Sequence, residues 1–298
     1  MVKEYTMSKV AVVIPSYREK LFKESFLPSW KDLFKKHNVI LVTVKDEKNP
    51  DKTFVEVDNK IRIGIKKIMG KNSDLISNRY AGVRSLGIAY VGLFLPEVDY
   101  ILCLDDDLSP IGDSIQDHLD VLSTNVSVSW MAVGDAYTRG FPYGVRQEAE
   151  VVLSHGVWEG VPDFDAPTQL VNGVKSMVFY KMPIPKGALF PMCLMNTMFK
   201  RKMLPFMYMC PRVEDVIERC DDIWCGIEAK REIDKNGWAA VTGYSRVMHE
   251  RASNVFSSLF KESRFIEFNE GYWKGEQTDP YFKIYHERRK RWKNLAWR

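Results

Sequence analysis

Short apolar runs alternate along this chain with longer segments of mixed polarity. The runs 9–15 (KVAVVIP) and 39–44 (VILVTV) are rich in β-branched residues and end at polar or turn residues, which is typical of strands buried on both faces. The charged segment 17–36 between them fits a helix, so the order predicts a β-α-β unit. A helix is expected over 73–95, followed by an interior strand over 98–104. The pattern favours an α/β fold with a mainly parallel sheet flanked by helices.

The second half of the chain gives fewer regular signals. Between residues 135 and 173, glycine, proline, aromatic and charged residues alternate without a sustained period. We expect a lid or binding surface there, because ordinary loops have a median length of about 4–6 residues. A helix is expected from Asp221 to Gly237, followed by a strand over 239–242. No low-complexity linker divides the chain, so a single domain over 1–298 is predicted.

Composition mainly excludes some classes of protein and of partner. The chain has 298 residues, of which 45% are apolar and 28% charged, as expected for a globular protein. The net charge of +4 is too small for a chain-wide nucleic-acid surface, so no nucleic-acid partner is expected. The five cysteines include no C-x-x-C pair, which favours a reducing, cytosolic setting. Neither a signal peptide nor a transmembrane segment is expected, because no apolar stretch reaches about 18 residues.

The C-terminal residues 273–298 are expected to form a basic tail or helix. The last part, 287–298, holds six Lys or Arg against one Glu, with Trp292 and Trp297 interleaved. Such a segment can contact anionic lipid, an acidic partner or another copy of the chain, so a homo-oligomer and a peripheral membrane association are both open. A solvated helix face is the commoner outcome for a charge run of this kind.

The interior strand expected over 98–104 ends on three consecutive carboxylates, Asp105, Asp106 and Asp107. In open α/β sheets, ligands bind at the carboxyl ends of the strands, which is where this triplet lies. Three adjacent carboxylates repel one another, and a divalent cation would offset that repulsion. Oxygen ligands suit Mg²⁺ or Mn²⁺, which proteins typically share with the phosphates of a substrate. The triplet therefore predicts a metal–diphosphate site, with a solvated acidic turn as the alternative.

Histidines and further acids give weaker signals. His249, near the end of the sheet pattern, could supply a nitrogen ligand to the same metal, and His155 is equally ambiguous. The other histidines are expected at the surface: His37, His118 and His286. Asp163 and Asp165 lie between two prolines, where they could accept hydrogen bonds from sugar hydroxyls or simply form a turn.

Two arginines, Arg139 and Arg146, flank the sequence GFPYGV inside the irregular segment. Arginine suits phosphate because its guanidinium is always charged and can present two donors at once. A pair of solvated loop cations is the alternative. The residues by themselves thus indicate a metal-dependent nucleotide-sugar or phosphoryl site.

Several of these segments resemble the reversibly glycosylated polypeptide family, the UDP-arabinopyranose mutases best known in plants. The resemblance extends from about residue 10 to 254, and its most specific block is 162–170 (PDFDAPTQL). The tail beyond residue 272 lies outside it. The other segments that carry the resemblance are 13–15 (VIP), 105–107 (DDD), 139–142 (RGFP), 154–158 (SHGVW), 185–193 (PKGALFPMC) and 221–226 (DDIWCG).

This resemblance implies a GT-A type nucleotide-sugar-binding fold, dependence on Mn²⁺ or Mg²⁺, a UDP-sugar substrate, interconversion of UDP-arabinopyranose and UDP-arabinofuranose, and reversible self-glycosylation of an arginine. The implied metal ligands are Asp105, Asp107 and His249. The implied nucleotide contacts are Asp46, Ser77, Arg84, Asp105 and Asp106. The implied sugar contacts are Asp163, Asp165 and Asp221. The implied catalytic residues are Arg139, as the sugar carrier, Arg146 and Asp222.

A covalent mechanism through Arg139 has one chemical requirement. Arginine stays protonated in proteins, with a pKa above ~12, so a neighbouring carboxylate must accept a proton while the guanidinium attacks the sugar. Asp222, Asp163 and Asp165 are the candidates. Two other functions remain open: a glycosyltransferase that moves a sugar from a UDP-sugar to a separate acceptor, and a self-glycosylated carrier protein.

Overall fold

The fold is described from a computed structural model. It defines residues 9–46, 52–78, 80–130, 137, 139–146, 148–161, 163–173, 180–209, 212, 221–250, 254–263, 265–274 and 280–298. The strands in this part of the chain are β1 (Val10–Ser16), β2 (Ile40–Lys45), β3 (Phe54–Val57), β4 (Ile61–Gly64), β5 (Tyr100–Leu104), β6 (Leu108–Pro110), β7 (Asn125–Val126), β8 (Ala149–Gly160), β9 (Met182–Pro183), β10 (Asn196–Lys200) and β11 (Ala239–His249).

The helices in the same ranges are α1 (Glu19–Leu21), α2 (Leu27–Lys36), α3 (Ile65–Met69), α4 (Arg84–Phe94), α5 (Ser114–Leu122), α6 (Ala166–Asn172), α7 (Asp221–Lys235), α8 (Val255–Glu262), α9 (Ile266–Lys274) and α10 (Pro280–Lys293). A π-helical stretch, Phe22–Phe26, joins α1 to α2. Short 3₁₀ helices span Gly70–Leu75, Ala81–Val83, Tyr143–Val145 and Arg201–Phe206. None of the helices in the described ranges is long and apolar enough to cross a membrane.

The main sheet runs in the order β4-β3-β2-β1-β5-β10-β8-β11-β6, with β7 paired to β8 and β9 to β11. Strands β2, β1 and β5 are parallel neighbours, and so are β8 and β11, whereas β10 is antiparallel to both β5 and β8. Along this order, six of the nine described strands point in one direction. The expected α/β fold, with a mainly parallel sheet flanked by helices, is confirmed, whereas its GT-A type stays a prediction.

Strand β1 shows how the sheet is covered on both sides. Residues 10–14 have no solvent-exposed surface, and alternate side chains of a strand point to opposite faces. Val10 and its alternates pack with apolar residues of α2 and α5, whereas Ala11 and Val13 pack with those of α4, α7 and α10. Helix α4 lies directly on the strands, because a Cβ on Gly87 would come within 2.5 Å of Val13 Cγ1. Within the described residues, both faces of β1 are thus covered, which leaves the strand ends open to a ligand.

Most elements expected in the first hundred residues are confirmed within a few positions. The exception is the helix expected over 73–95, of which only α4 is α-helical. The backbone is extended at Ile76 and at Tyr80, and the Tyr80 N–H donates to Asp46 Oδ2 at 3.2 Å. The expectation was wrong in its first half because this contact ties the segment to the end of β2.

Two strands differ from the sequence prediction: β8 was not predicted as a strand, and β11 is longer than expected. The irregular segment 135–173 contains β8, in which residues 151–158 are buried; no polar–apolar alternation marks a strand covered on both faces. The strand expected over 239–242 extends to His249 as β11, with its register to β8 shifted near Gly243. Gly243 has φ of +90°, and a Cβ there would lie 2.2 Å from the carbonyl oxygen of Tyr180, so glycine is required at this irregularity.

The basic tail forms helix α10, which packs into the core. Trp292 and Tyr285 are fully buried, and Trp292 Nε1 donates to the carbonyl oxygen of Leu204 at 3.0 Å. Arg289 pairs with Glu228 of α7 at 2.6 Å. The tail's aromatic face is therefore engaged within the chain. Its expected contact with lipid, an acidic partner or a second copy stays a prediction, as does the single domain over 1–298.

Candidate active site

The predicted acids and His249 lie at one edge of the sheet. Asp105–Asp107 follow β5, Asp46 follows β2, Asp163 follows β8 by a few residues, and His249 ends β11. These four strands point the same way, so their carboxyl ends meet at a single edge. The parallel topology therefore gathers residues that are up to about two hundred positions apart in the sequence.

Asp106 is the buried centre of the acidic triplet, with only 3% of its surface exposed. Ser16 Oγ, at the end of β1, donates to Asp106 Oδ2 at 2.6 Å. The Arg18 guanidinium donates to Asp106 Oδ1 and, at 3.0 Å, to Asp107 Oδ2. Both oxygens of Asp106 are engaged by the chain itself, so this carboxylate anchors Arg18 beside Asp107.

Asp105 has a different partner, Arg84 in the first turn of α4. Arg84 is buried, and its guanidinium contacts Asp105 Oδ1 and lies 3.5 Å from the carbonyl oxygen of Leu104. Burial opposes the charge of Arg84, but Asp105 and other nearby acids outweigh it and raise its pKa, so the guanidinium stays charged. Arg18 was not singled out in the sequence, although it follows the VIP segment by three residues.

Asp107 faces His249 across a short gap, with 4.0 Å between Asp107 Oδ1 and His249 Nε2. His249 Nδ1 lies 2.8 Å from the carbonyl oxygen of Val161, which can only accept, so Nδ1 carries the proton and Nε2 of the neutral ring keeps its lone pair. Hard divalent ions sit about 2.0–2.1 Å from such ligand atoms, so this pair fits an ion between them.

The predicted trio of metal ligands is not gathered as one cluster. In the described part of the chain, no group of three or more His, Cys, Asp or Glu side chains is arranged to hold a metal ion. Asp105 is turned to Arg84, which leaves Asp107 and His249 as the facing pair. Metal ligation by Asp105, Asp107 and His249 therefore stays a prediction, and the donor atoms of the last two fit it.

Helix α7 brings two further carboxylates to the site from its first turn. Asp221 is 4% exposed, and its Oδ2 atom is buried without a hydrogen-bond partner. Burial raises the pKa of Asp221 to about 6, although the nearby Arg84 charge works against the rise. Burial, together with the charges of Asp221 and Asp163, raises the pKa of Asp222 well above its usual range. Such shifted carboxylates can exchange protons near neutral pH.

A short segment at Cys193 connects the remaining acids. The Leu194 N–H donates to Asp222 Oδ2 at 3.3 Å, and the Cys193 thiol donates to Asp163 Oδ2 at 3.0 Å. The Cys193 N–H donates to His155 Nε2 at 3.3 Å. Sequence reasoning missed this role of Cys193, although the PKGALFPMC and SHGVW segments that contain Cys193 and His155 were both noted.

His155 is a buried support and not a surface or metal-binding group. Its Nε2 accepts from Cys193, so Nδ1 carries the proton and donates to Thr242 Oγ1 at 3.0 Å. Burial lowers the pKa of His155 to about 3, which keeps the ring neutral. The neutral ring therefore fixes the backbone at Cys193 without adding charge to the site.

Two histidines expected at the surface are buried instead. His118 has no exposed surface and lies between Ser154 Oγ, at 2.8 Å, and Asn196 Oδ1, at 3.0 Å. Burial lowers the pKa of His118 to about 4. His37 is buried against Asp113 at 2.9 Å. The charged sequence around both residues gave no sign of these buried polar contacts, whereas His286 is exposed as expected.

Three residues that were predicted to contact the sugar or the nucleotide make hydrogen bonds within the chain. Asp165 caps α6, since Thr168 donates to it from its N–H at 2.9 Å and from its hydroxyl at 2.7 Å. Asp46 accepts from the Tyr80 N–H, as described above, and Ser77 Oγ accepts from the backbone N–H of Arg212 at 3.1 Å. Their sugar and nucleotide contacts stay predictions.

The two arginines of the RGFPYGVR segment have different surroundings. Arg139 is exposed in a turn. The Arg146 guanidinium lies 3.8 Å from the ring centre of Tyr143 and 4.7 Å from that of Tyr137. It also donates to the carbonyl oxygen of Phe141 at 3.2 Å. Arg146 thus closes the loop on which Arg139 is presented.

A sheet edge that gathers carboxylates, guanidinium groups and a histidine at the ends of parallel strands defines an α/β protein with a polar ligand site. Within that class, the chain belongs to the reversibly glycosylated polypeptide family, whose family model matches residues 5–283. The resemblance inferred from the sequence is confirmed, and the match reaches past residue 272 into α10.

Relatives in plants are similar to this chain over most of their length. UDP-arabinopyranose mutase 3 of Arabidopsis thaliana is 32% identical over 293 residues, covering 91% of this chain and 77% of that protein. Probable UDP-arabinopyranose mutase 2 of Solanum tuberosum is 33% identical over 282 residues, covering 87% and 74%. Among solved structures, the catalytic domain of Drosophila β1,4-galactosyltransferase 7 with xylobiose is 11% identical over 84% of this chain and 78% of that one, with a TM-score of 0.39.

Proposed function

We propose that this protein is a nucleotide-sugar mutase that interconverts UDP-arabinopyranose and UDP-arabinofuranose, or a related pair of UDP-sugars. The plant relatives that carry this activity in their names match about nine-tenths of the chain. The observation that carries the proposal is the composition of the sheet edge: the Asp105–Asp107 triplet faces His249 and lies beside two buried carboxylates whose pKa values are raised.

The proposed activity depends on a divalent ion, Mn²⁺ or Mg²⁺. Asp107 and His249 would hold it, since their facing oxygen and nitrogen atoms are 4.0 Å apart and the His249 tautomer leaves Nε2 free. When bound, such an ion stabilises the negative charge of the departing diphosphate. Arg84 and Arg18 add fixed positive charge at the same edge.

The chain's own residues supply the proposed covalent step. A nitrogen of Arg139 forms a bond to the anomeric carbon while the bond from that carbon to the UDP oxygen breaks. The guanidinium proton passes to a carboxylate, for which Asp222 is suited because burial and the charges of Asp221 and Asp163 raise its pKa. The glycosyl-guanidine opens its ring and recloses through a different hydroxyl. The carboxylate then returns its proton to Arg139 as UDP takes the sugar back.

Analysis of UDP-sugars after incubation tests this proposal. With Mn²⁺ and UDP-arabinopyranose, we expect the wild-type protein to reach an equilibrium mixture that contains the furanose form, and EDTA to stop the exchange. Arg139→Ala should abolish both the exchange and the labelling of the protein by a radioactive sugar. The matched control is Arg62→Ala on the β3–β4 hairpin, where the arginine is 71% exposed and should not matter.

The same assay separates the alternatives. Free UDP together with a new glycoside would identify a glycosyltransferase with a separate acceptor. A labelled protein that never returns its sugar to UDP would identify a carrier. Full exchange by Arg139→Ala would exclude the covalent route through this residue, and exchange that survives EDTA would remove the metal from the proposal.

A further inference from the structure

The acidic triplet is only partly neutralised by the chain itself. Asp105 pairs with Arg84, whereas Asp106 and Asp107 share the single guanidinium of Arg18. Within the triplet, three carboxylates therefore meet two guanidinium groups, and one negative charge is left over. The two oxygens of Asp107 have different neighbours, because Oδ2 faces Arg18 and Oδ1 faces His249.

Arg18 is fixed in this position by one strong anchor. The other oxygen of Asp106 accepts a hydrogen bond from Ser16, so the carboxylate that Arg18 contacts is itself held in place. The same guanidinium nitrogen, Nη2, also contacts Asp107 Oδ2 at 3.0 Å. The Nε atom of Arg18 is buried without a partner, while its side chain keeps 19% of its surface exposed. Arg18 thus retains an unused donor next to the acidic triplet.

We propose that Arg18 couples the binding of the divalent ion to the binding of the diphosphate. This inference rests on the metal dependence of the proposed function. In the nucleotide-free protein, the Arg18 charge neutralises Asp107 and weakens the hold of Asp107 and His249 on a cation. When the diphosphate binds, its negative charge pairs with Arg18. The affinity of Asp107 and His249 for the cation is thereby restored. Arg18 acts through Asp107 and is a positioning residue.

Repulsion between two cations gives the physical reason. A divalent ion held by Asp107 and His249 would lie beside the Arg18 charge, which contacts the other oxygen of the same carboxylate. The two negative charges of a UDP-sugar diphosphate offset that repulsion. Like charges a few ångströms apart in a partly buried site repel strongly, so the cation alone is disfavoured and the cation with the diphosphate is not. Without the Arg18 charge, the site would accept the cation before the nucleotide arrives.

Binding of Mn²⁺, followed by the electron paramagnetic resonance signal of the free ion, tests this coupling without any turnover. Wild type, Arg18→Gln and Arg18→Met are titrated with Mn²⁺, each with and without saturating UDP. We expect UDP to increase the Mn²⁺ affinity of the wild type by a factor in the range of ~5–150 that is typical of linked sites. Both variants should bind Mn²⁺ at least about fivefold more tightly than the wild type when UDP is absent, and UDP should then add little.

Two controls keep the result specific. Arg18→Lys retains the charge and should retain the weak binding of Mn²⁺ alone. Lys20→Gln removes one positive charge from the same α1 segment, but its side chain is 83% exposed and does not contact the triplet, so it should behave as the wild type. Thermal unfolding of each variant confirms that the fold is retained.

The outcomes distinguish this inference from the proposed function. Unchanged or weaker Mn²⁺ binding by Arg18→Gln and Arg18→Met without UDP, in a protein that still exchanges UDP-sugars, would overturn the role of Arg18 alone. A wild-type protein that binds no Mn²⁺ even with UDP would overturn both the coupling and the metal dependence. An equal effect of UDP on the wild type and on Arg18→Gln would also overturn the coupling, since the residue would then be a structural ion pair only.

Discussion

Replacing Asp221 with asparagine should make the protein more stable at neutral pH while it removes a carboxylate that is predicted to contact the sugar. The native structure buries this side chain almost completely and leaves one of its oxygens without a hydrogen-bond partner. Ionising such a group costs free energy, because charge is poorly solvated in the interior. Asparagine has nearly the same shape and never ionises. Sites that are strained for function commonly show this opposition of stability and activity.

The magnitude follows from the pKa of Asp221. Its native value of about 6 lies above the ordinary value of 3.8, which corresponds to about 3 kcal/mol of lost stability once the group is fully ionised. Between these two pH values the native state binds more protons than the unfolded state, so the free energy of unfolding falls as pH rises through the window and is level above it. About half of this loss falls between pH 5 and pH 8.

Urea unfolding of the wild type and Asp221→Asn at pH 5 and pH 8, followed by circular dichroism, measures this effect. The variant should gain stability relative to the wild type, and the gain should be larger at pH 8 by about half of that loss, on the order of 1–2 kcal/mol. Asp32→Asn is the matched control, since Asp32 is exposed on α2 and should give no pH-dependent gain. A variant that is less stable than the wild type at pH 8, or a gain that is equal at both pH values, would refute the reasoning.

Three further predictions concern packing and reactivity. Trp292→Ala should lower the free energy of unfolding by about 3–5 kcal/mol in urea denaturation, because the indole is fully buried in the core. Gly156→Ala should strongly destabilise the protein or prevent folding, seen as a loss of soluble protein or of the thermal transition, because a Cβ would lie 2.1 Å from Asn196 Nδ2. Cys193 should resist alkylation by iodoacetamide at pH 7.5, followed by mass spectrometry, because burial and the nearby Asp163 and Asp222 raise its pKa well above the usual value.

Each of these three has a result that would contradict it. A loss below about 1 kcal/mol for Trp292→Ala would mean that α10 is a loosely attached tail. Gly144→Ala provides the control for Gly156→Ala, since a Cβ at Gly144 meets nothing within 4 Å; equal stability of the two variants would contradict the packing argument. Alkylation of Cys193 at the rate of a free thiol would show that the carboxylates do not suppress the thiolate.

The start of the sheet could be predicted from the sequence because burial leaves a local signature. Residues 9–15 and 39–44 are continuous apolar runs, and only strands covered on both faces tolerate such runs in short segments. The position of Asp105–Asp107 after a third run then predicted a ligand site at one edge of the sheet, since parallel strands end together. These conclusions used only periodicity and order, and the structure confirms the strands on which they depend.

Other features could not be predicted from the sequence pattern, for physical reasons. The 12 residues of β8 lie in a segment without period, because a strand buried on both faces among glycines and aromatic residues shows no alternation. His118 was expected in solvent because its sequence neighbours are charged, yet its partners Ser154 and Asn196 come from two strands that are distant in sequence. The roles of Arg18 and Cys193 likewise depend on contacts that no local pattern encodes.

The sequence by itself determined the α/β class, the family and the residue types available for chemistry, because apolar periodicity and contiguous motifs are local properties of the chain. Only the tertiary structure decided which charges meet. It set Arg18 against Asp106 and Asp107, Arg84 against Asp105, and the basic tail against the core. Electrostatic partners are chosen by distances in space between segments far apart in sequence, and burial then fixes how strongly each pair interacts.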